Sequence, residues 1–227
     1  MRLAITHRYD FGRDAGILPD GLADAEGWDA LRTASSGPFA LPESRPDWEA
    51  RADDPQLRER ARALNAQLGA RGVRVLASYG VGTAGLELWL VRLDPGLRIV
   101  VTEFAPATAE RLAALFTEVE VRRHDLRVDP PVVGADLHLL YRVDTELTDE
   151  TFRSLLGRFG DVPLLVVATE LLTPRSLLRE VRTRIRGGAT RAGLVRSRGA
   201  FESLFGETHE LQRLRVHDLH GWLLEPR

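Results

Sequence analysis

From about residue 73 the chain alternates between short apolar runs of strand length and amphipathic stretches of helix length, and this alternation constrains the fold more than any other feature. Residues 73–77, 97–102, 119–122, 135–141 and 162–168 read as strands, the last almost wholly apolar, as expected when both faces are covered. Between them, residues 84–91 read as a helix. Pro106 opens a second helix that turns Leu112, Leu115 and Phe116 inward. Residues 148–159 read as a third, with Thr148 as N-cap and Phe152, Leu155, Leu156 and Phe159 on its inner face. Strands and helices in this rhythm predict βαβ units, a mostly parallel sheet and helices on both faces.

The flanks complete the expected architecture. A helix starts near Pro55, with Leu57, Ala61, Leu64 and Leu68 on one face and Gly69 and Gly72 as its stop. After Ala168 the pattern loosens into a basic helix at 174–186, a short helix at 199–205, and a closing antiparallel pair at 208–216 and 219–224. Residues 1–54 are rich in Gly, Pro, Asp and Ser and hold Trp28 and Trp48, with no strand-like run. They read as a helical arm or lid over a main domain at 55–227. The expected fold class is therefore α/β: a Rossmann-like three-layer sandwich on a mostly parallel seven-stranded sheet, with an antiparallel C-terminal strand.

Composition removes several chemistries. With 227 residues the chain can bury one sizeable core, and its 44% hydrophobic and 28% charged content is ordinary for a soluble globular protein. It has no cysteine, which excludes disulfides, thiolate metal sites and cysteine nucleophiles. It has no lysine, which excludes Schiff-base and P-loop lysines. A net charge of -2 gives no global attraction to nucleic acid or an anionic membrane. No apolar run is long enough to span a bilayer and the N-terminus has no signal-like apolar stretch, so the expected location is cytoplasmic. Nothing in the sequence decides whether copies of the chain assemble.

The chemistry concentrates at the first strand-to-helix turn, Ser78-Tyr79-Gly80-Val81-Gly82-Thr83-Ala84-Gly85. Glycines there let the backbone turn sharply and let a ligand approach it, and the following helix presents unpaired N–H groups. Glu103, at the end of the second strand and 18 residues beyond Gly85, is placed to accept hydrogen bonds from the two hydroxyls of a ribose. Tyr141, Arg142, Asp144 and Glu146 follow the fourth strand, at the sheet end where ligands bind in open α/β folds. Asp144 reads as a general base, or as the partner of Arg142 in a structural pair; Arg142 as a clamp for a substrate carboxylate.

In these segments the sequence resembles the class I S-adenosylmethionine-dependent methyltransferases. The turn at 75–84 is similar to their nucleotide-binding motif, 102–108 to their second-strand acid and following helix, and His124-Asp125-Leu126 to the segment that holds adenine. The resemblance implies S-adenosylmethionine as cofactor, held by Ser78, Tyr79, Gly80, Gly82, Thr83, Glu103, Phe104, Asp125 and Leu126, with Tyr141, Arg142 and Asp144 catalytic. Asp125 reads equally as a turn residue. The implied activity is methyl transfer to a small-molecule acceptor, with no metal, no membrane and no nucleic acid as partner.

Two positions depart from the pattern. Ser78 stands where the family carries an acid that organises the amino-acid end of the cofactor, and Ala84 stands at the third glycine. Such losses imply weaker binding, a compensating group from elsewhere, or a different ligand. A cofactor-consuming cyclase and a non-catalytic binding protein therefore remain as alternatives. The arginines at 175, 179, 182, 184, 186, 191, 196 and 198 read as a solvated face or as a grip for an acidic group, and the six histidines form no metal-ligand spacing.

Overall fold

A computed structural model describes residues 6–9, 24–34, 37, 39–186 and 193–227. Its centre is a seven-stranded sheet in the order β4-β3-β2-β5-β6-β9-β8. β2 (Val75–Tyr79), β3 (Arg98–Glu103), β4 (Glu120–Arg123), β5 (Leu137–Tyr141) and β6 (Leu164–Val167) run parallel. β9 (Leu219–Pro226) pairs antiparallel with both β6 and β8 (His209–Val216). The crossovers carry α4 (Gly85–Leu93), α5 (Pro106–Leu115) and α6 (Asp149–Leu156), as the alternation predicts.

Alternation along each strand sends successive side chains to opposite layers. Leu76, Ile99, Val101 and Leu139 face one apolar cluster with Leu64 and Leu68 of α3 (Pro55–Ala70), Leu88 of α4 and Leu112 of α5. Ala77, Val100 and Leu140 face a second cluster with Phe152 of α6, Trp222 of β9 and Phe201 of α8 (Arg198–Phe205), the helix that follows α7 (Pro174–Ile185). The described part of the N-terminal region adds α1 (Ala25–Thr33) and α2 (Arg45–Ala52), and Trp48 and Ala52 of α2 sit in the first cluster.

Local chemistry sets the helix starts. Asp24, Ser44, Asp54, Thr148 and Ser197 cap their helices by accepting a backbone N–H in the first turn. α5 has Pro106 at its start and no cap of its own. Asp29 of α1 supplies one, accepting from Ala107 N (3.0 Å), Thr108 N (2.9 Å) and the Thr108 hydroxyl (2.8 Å). The cap also fixes α1 over the sheet end.

Two features differ from the sequence reading. A strand, β1 (Thr6–Tyr9), does lie in the N-terminal region and pairs antiparallel with β7 (Gly193–Arg196). Both have four residues, too few for a period-two signal, and their pairing partners are far apart in sequence. The first strand of the parallel set also continues to Tyr79, so the turn begins at Gly80 and not at Ser78. That shift decides where two of the expected cofactor residues point.

Candidate functional site

The sheet order reverses between β2 and β5, and a cavity of about 800 Å³ opens above their C-terminal ends. This is the crevice where open α/β sheets bind ligands, and its volume lies within the usual range of small-molecule sites. Gly80 and Gly82 form its floor with φ of 62° and 60°, a left-handed conformation that favours glycine. A β-carbon at Gly80 would lie 2.7 Å from Val143 Cγ1. Ala84 takes the same left-handed conformation, φ 52°, at the start of α4. Trp48 steadies the turn by donating its indole N–H to the Thr83 carbonyl at 2.7 Å.

Glu103 stands at the end of β3 beside this floor and is buried. Its Oε2 accepts from Gly82 N at 3.0 Å; its Oε1 accepts from Phe104 N at 2.9 Å and Ala105 N at 3.2 Å. Burial pushes its pKa up, opposed by these amides and by the charge of Arg32. A carboxylate has about four acceptor positions, so Oε2 keeps one for a ligand hydroxyl. Arg32, from α1, occupies the space over Gly82: a β-carbon there would collide with its guanidinium. Arg32 donates to the Phe39 carbonyl at 3.0 Å and lies 4.9 Å from the centre of the Trp28 ring. Burial pushes its pKa below the usual arginine value, while Glu103 pulls it back.

Phe104, Asp125 and Leu126 line the same cavity, with His124 and Arg127. Asp125 is engaged by Arg127 through Nε at 2.9 Å and Nη2 at 2.8 Å, and Arg127 lies 4.9 Å over the Phe104 ring. Burial would raise the pKa of Asp125, but the Arg127 contacts outweigh it and the net direction is down. The buried Nε2 of His124 has no hydrogen-bond partner among the described residues, and burial lowers the pKa of that ring.

After β5, Tyr141, Arg142 and Glu146 line the cavity, Arg142 with φ 60°. Asp144 does not. Its carboxylate turns inward, is 1% exposed, and accepts from Thr169 N and Oγ1, each at 2.7 Å. The short 3-10 turn at Asp144–Glu146 causes the reversal, putting Glu146 on the cavity wall in its place. Glu146 accepts a hydrogen bond from the Trp28 side chain, and burial raises its pKa to about 7. Trp28 and Phe39 complete the roof.

Ser78 and Tyr79, expected in the turn, lie within β2 and line no part of the cavity. The Tyr79 hydroxyl lies 3.0 Å from His138 Nδ1 and accepts from Val132 N at 2.9 Å, inside the second core cluster. Ser78 faces the other layer and donates to Glu87 Oε1 at 2.6 Å. Glu87, in the first turn of α4, is 2% exposed and lines the cavity; burial raises its pKa to about 7. The sequence reading missed Glu87, although an acid within the otherwise apolar Gly85–Leu93 was a legible signal. It missed Arg32 too, whose spacing from Trp28 is the i, i+4 of a cation–π pair.

No family model and no curated protein matches the sequence. Solved structures do match the fold. Human N-acetylserotonin methyltransferase, solved in complex with S-adenosylmethionine, aligns at TM-score 0.59 and 18% identity over 81% of this chain and 56% of its own. An O-methyltransferase assigned as such in Nostoc punctiforme PCC 73102 aligns at 0.58 and 14% identity, over 94% and 77%. A mitomycin 7-O-methyltransferase aligns at 0.55 and 19%, over 92% and 74%. This is the class I methyltransferase fold. The chain spans little more than half the length of the human enzyme.

On the class I methyltransferase frame, the remaining candidates resolve into structure. Of the arginines of the basic segment, Arg191 and the Arg184 side chain lie outside the described residues, and the others do not all share one face. Arg196 is wholly buried and Arg179 pairs with Glu170 at 3.1 Å. His217 sits in the β8–β9 turn with φ 54° and His220 in β9. Among the described residues no three His, Asp or Glu side chains form a metal site, and no helix is long and apolar enough to cross a membrane.

Proposed function

We propose that this chain binds S-adenosylmethionine in the cavity above Gly80 and Gly82 and transfers its methyl group to a small-molecule acceptor. The observation that carries the reading is the juxtaposition of that glycine floor with Glu103 in a cavity of about 800 Å³ at the switch point of a class I methyltransferase sheet. The residues present fit a nucleoside. The left-handed glycines admit close approach of a ligand, Glu103 Oε2 keeps an acceptor position for a ribose hydroxyl, and Phe104 and Leu126 offer apolar surface to a base. The cofactor, when bound, supplies an electrophilic methyl group on a sulfonium.

The chain's own residues orient and exclude water. Trp28 and Phe39 roof the cavity and shield a small acceptor beneath them from water. If the acceptor atom carries a proton, Glu146 takes it: the group lines the cavity and titrates near neutrality, where a general base works best. Asp144, turned inward onto Thr169, holds the turn that presents Glu146. Arg32 lies against Gly82 beside Glu103, so nucleoside and guanidinium compete for one volume and loading displaces the arginine side chain.

The same Arg32 contact favours a second reading, a chain that keeps the fold without using the cofactor. The two separate by assay. Incubation with S-adenosylmethionine and a panel of phenols and amines yields S-adenosylhomocysteine and methylated product on the first reading, with turnover falling at least tenfold in Glu146→Gln. Absence of nucleoside binding in both the native chain and Arg32→Ala establishes the second.

A further inference from the structure

The wall of the cavity at α4 holds a carboxyl group that nothing above employs. Glu87 is 2% exposed, yet it lines the cavity, and its Oε1 is held by the Ser78 hydroxyl at 2.6 Å. No cation pairs with it among the described residues. A basic side chain of that wall, Arg60 of α3, is bound through Nε and Nη2 to Asp218, each at 2.7 Å. Between them stands Tyr141, whose buried hydroxyl faces Arg60 and whose pKa is raised, by burial first, against the charges of Arg60 and Arg142 and with a contribution from Glu87. Asp54 and the exposed Arg142 line the same cavity. The corner therefore presents an ionisable acceptor, oriented by a serine, that no cation among the described residues neutralises.

A buried carboxylate is unfavourable unless a positive group meets it. We propose that Glu87, positioned by Ser78, is the binding residue for a protonated amine of the ligand in this cavity. The proposal rests on the nucleoside reading above and gives that site its cationic end. Two sources share the chemistry: the amino-acid ammonium of the cofactor itself, or an amine on the acceptor. Binding an ammonium favours ionised Glu87, so a carboxyl group that titrates near 7 in the free protein releases its proton when the ligand enters. Affinity for an amine-bearing ligand then rises with pH through neutrality. Glu146 also titrates near 7, faced by the Trp28 side chain, Arg127 and Asp144, and a nucleoside without an amine controls for its contribution.

The test uses the full chain and calorimetric titration between pH 6 and pH 8, in buffers of different ionisation enthalpy. The probes are S-adenosylhomocysteine, which carries the amino-acid ammonium, and methylthioadenosine, which lacks it. Expected is S-adenosylhomocysteine binding about tenfold tighter at pH 8 than at pH 6, following the ionised fraction of a group titrating near 7, with proton release at pH 6. Methylthioadenosine should show no such dependence. Glu87→Gln should lose the pH dependence and several-fold affinity for S-adenosylhomocysteine only. If the native chain binds both nucleosides alike, with neither proton release nor pH dependence, Glu87 is an internal partner of Ser78 and the proposal is overturned. Equal loss of both ligands in Glu87→Gln also overturns it, as a structural effect. A preference for amine-bearing acceptors, removed by Glu87→Gln while both nucleosides bind unchanged, assigns the amine to the acceptor. No binding of either nucleoside removes the nucleoside reading and this one with it.

Discussion

Two arginines of this protein, Arg196 and Arg32, sit in surroundings opposite in kind. Arg196 of β7 is wholly buried with an acceptor at each side-chain nitrogen: Nε meets Asp149 at 2.7 Å, Nη1 donates to the Asp144 carbonyl at 2.7 Å, Nη2 donates to the Leu147 carbonyl, and Phe152 and Phe201 pack on its plane. Arg32 of α1 enters the cavity, donates to the Phe39 carbonyl and rests on Trp28, with Glu103 near but already engaged by three amides. A charge whose three side-chain nitrogens each meet a fixed acceptor is part of the architecture. A charge held chiefly by a ring and one carbonyl beside an acid can be replaced by a ligand.

The contrast breaks first at Arg196. Arg196→Ala should cost about 3–5 kcal/mol in urea unfolding, because the buried Asp144 and Leu147 carbonyls lose their donor and Asp149 loses one of its contacts; a loss below about 1 kcal/mol would make the two arginines equivalent. Glu87 sharpens the cavity side. Its carboxyl is protonated in the folded chain up to pH near 7 and ionised in the unfolded chain above its ordinary value near 4.5, so it contributes a loss of stability as pH rises from 4.5 to 7. Glu87→Gln should therefore be more stable than the native chain by about 3 kcal/mol at pH 8 and nearly equal to it at pH 4. An unchanged difference between the two pH values would contradict the buried carboxyl. Asp29→Ala removes the shared cap of α5 and should cost about 1 kcal/mol while loosening α1, read by faster amide exchange across α1. Smallest of all in stability, Arg32→Ala should change unfolding by less than about 1 kcal/mol, yet tighten nucleoside binding several-fold.

How far the sequence carried depended on the range of the signal. The parallel sheet, its crossovers and the closing β8–β9 pair were legible because period and capping are local, as at Pro106 and Thr148. Gly80, Gly82, Thr83, Glu103, Phe104, Asp125, Leu126, Tyr141 and Arg142 do converge on one cavity. Ser78, Tyr79 and Asp144 do not, for two reasons of register. β2 runs to Tyr79, so alternation sends Ser78 toward α4 and Tyr79 into the opposite core. The 3-10 turn rotates Asp144 inward. Arg32 was illegible as a site residue because its place beside Gly82 depends on a cap made by Asp29 to a helix far along the chain. β1 and β7 were missed for the same reason, since only tertiary pairing defines them.

Titration of S-adenosylhomocysteine into the native chain and into Arg32→Ala, followed by calorimetry, bears most directly on the central claim that the hollow over Gly80 and Gly82 is a nucleoside site guarded by Arg32. The account predicts one ligand per chain in both proteins, with the variant binding several-fold tighter. Heat of dilution alone in both, up to millimolar ligand, would contradict it.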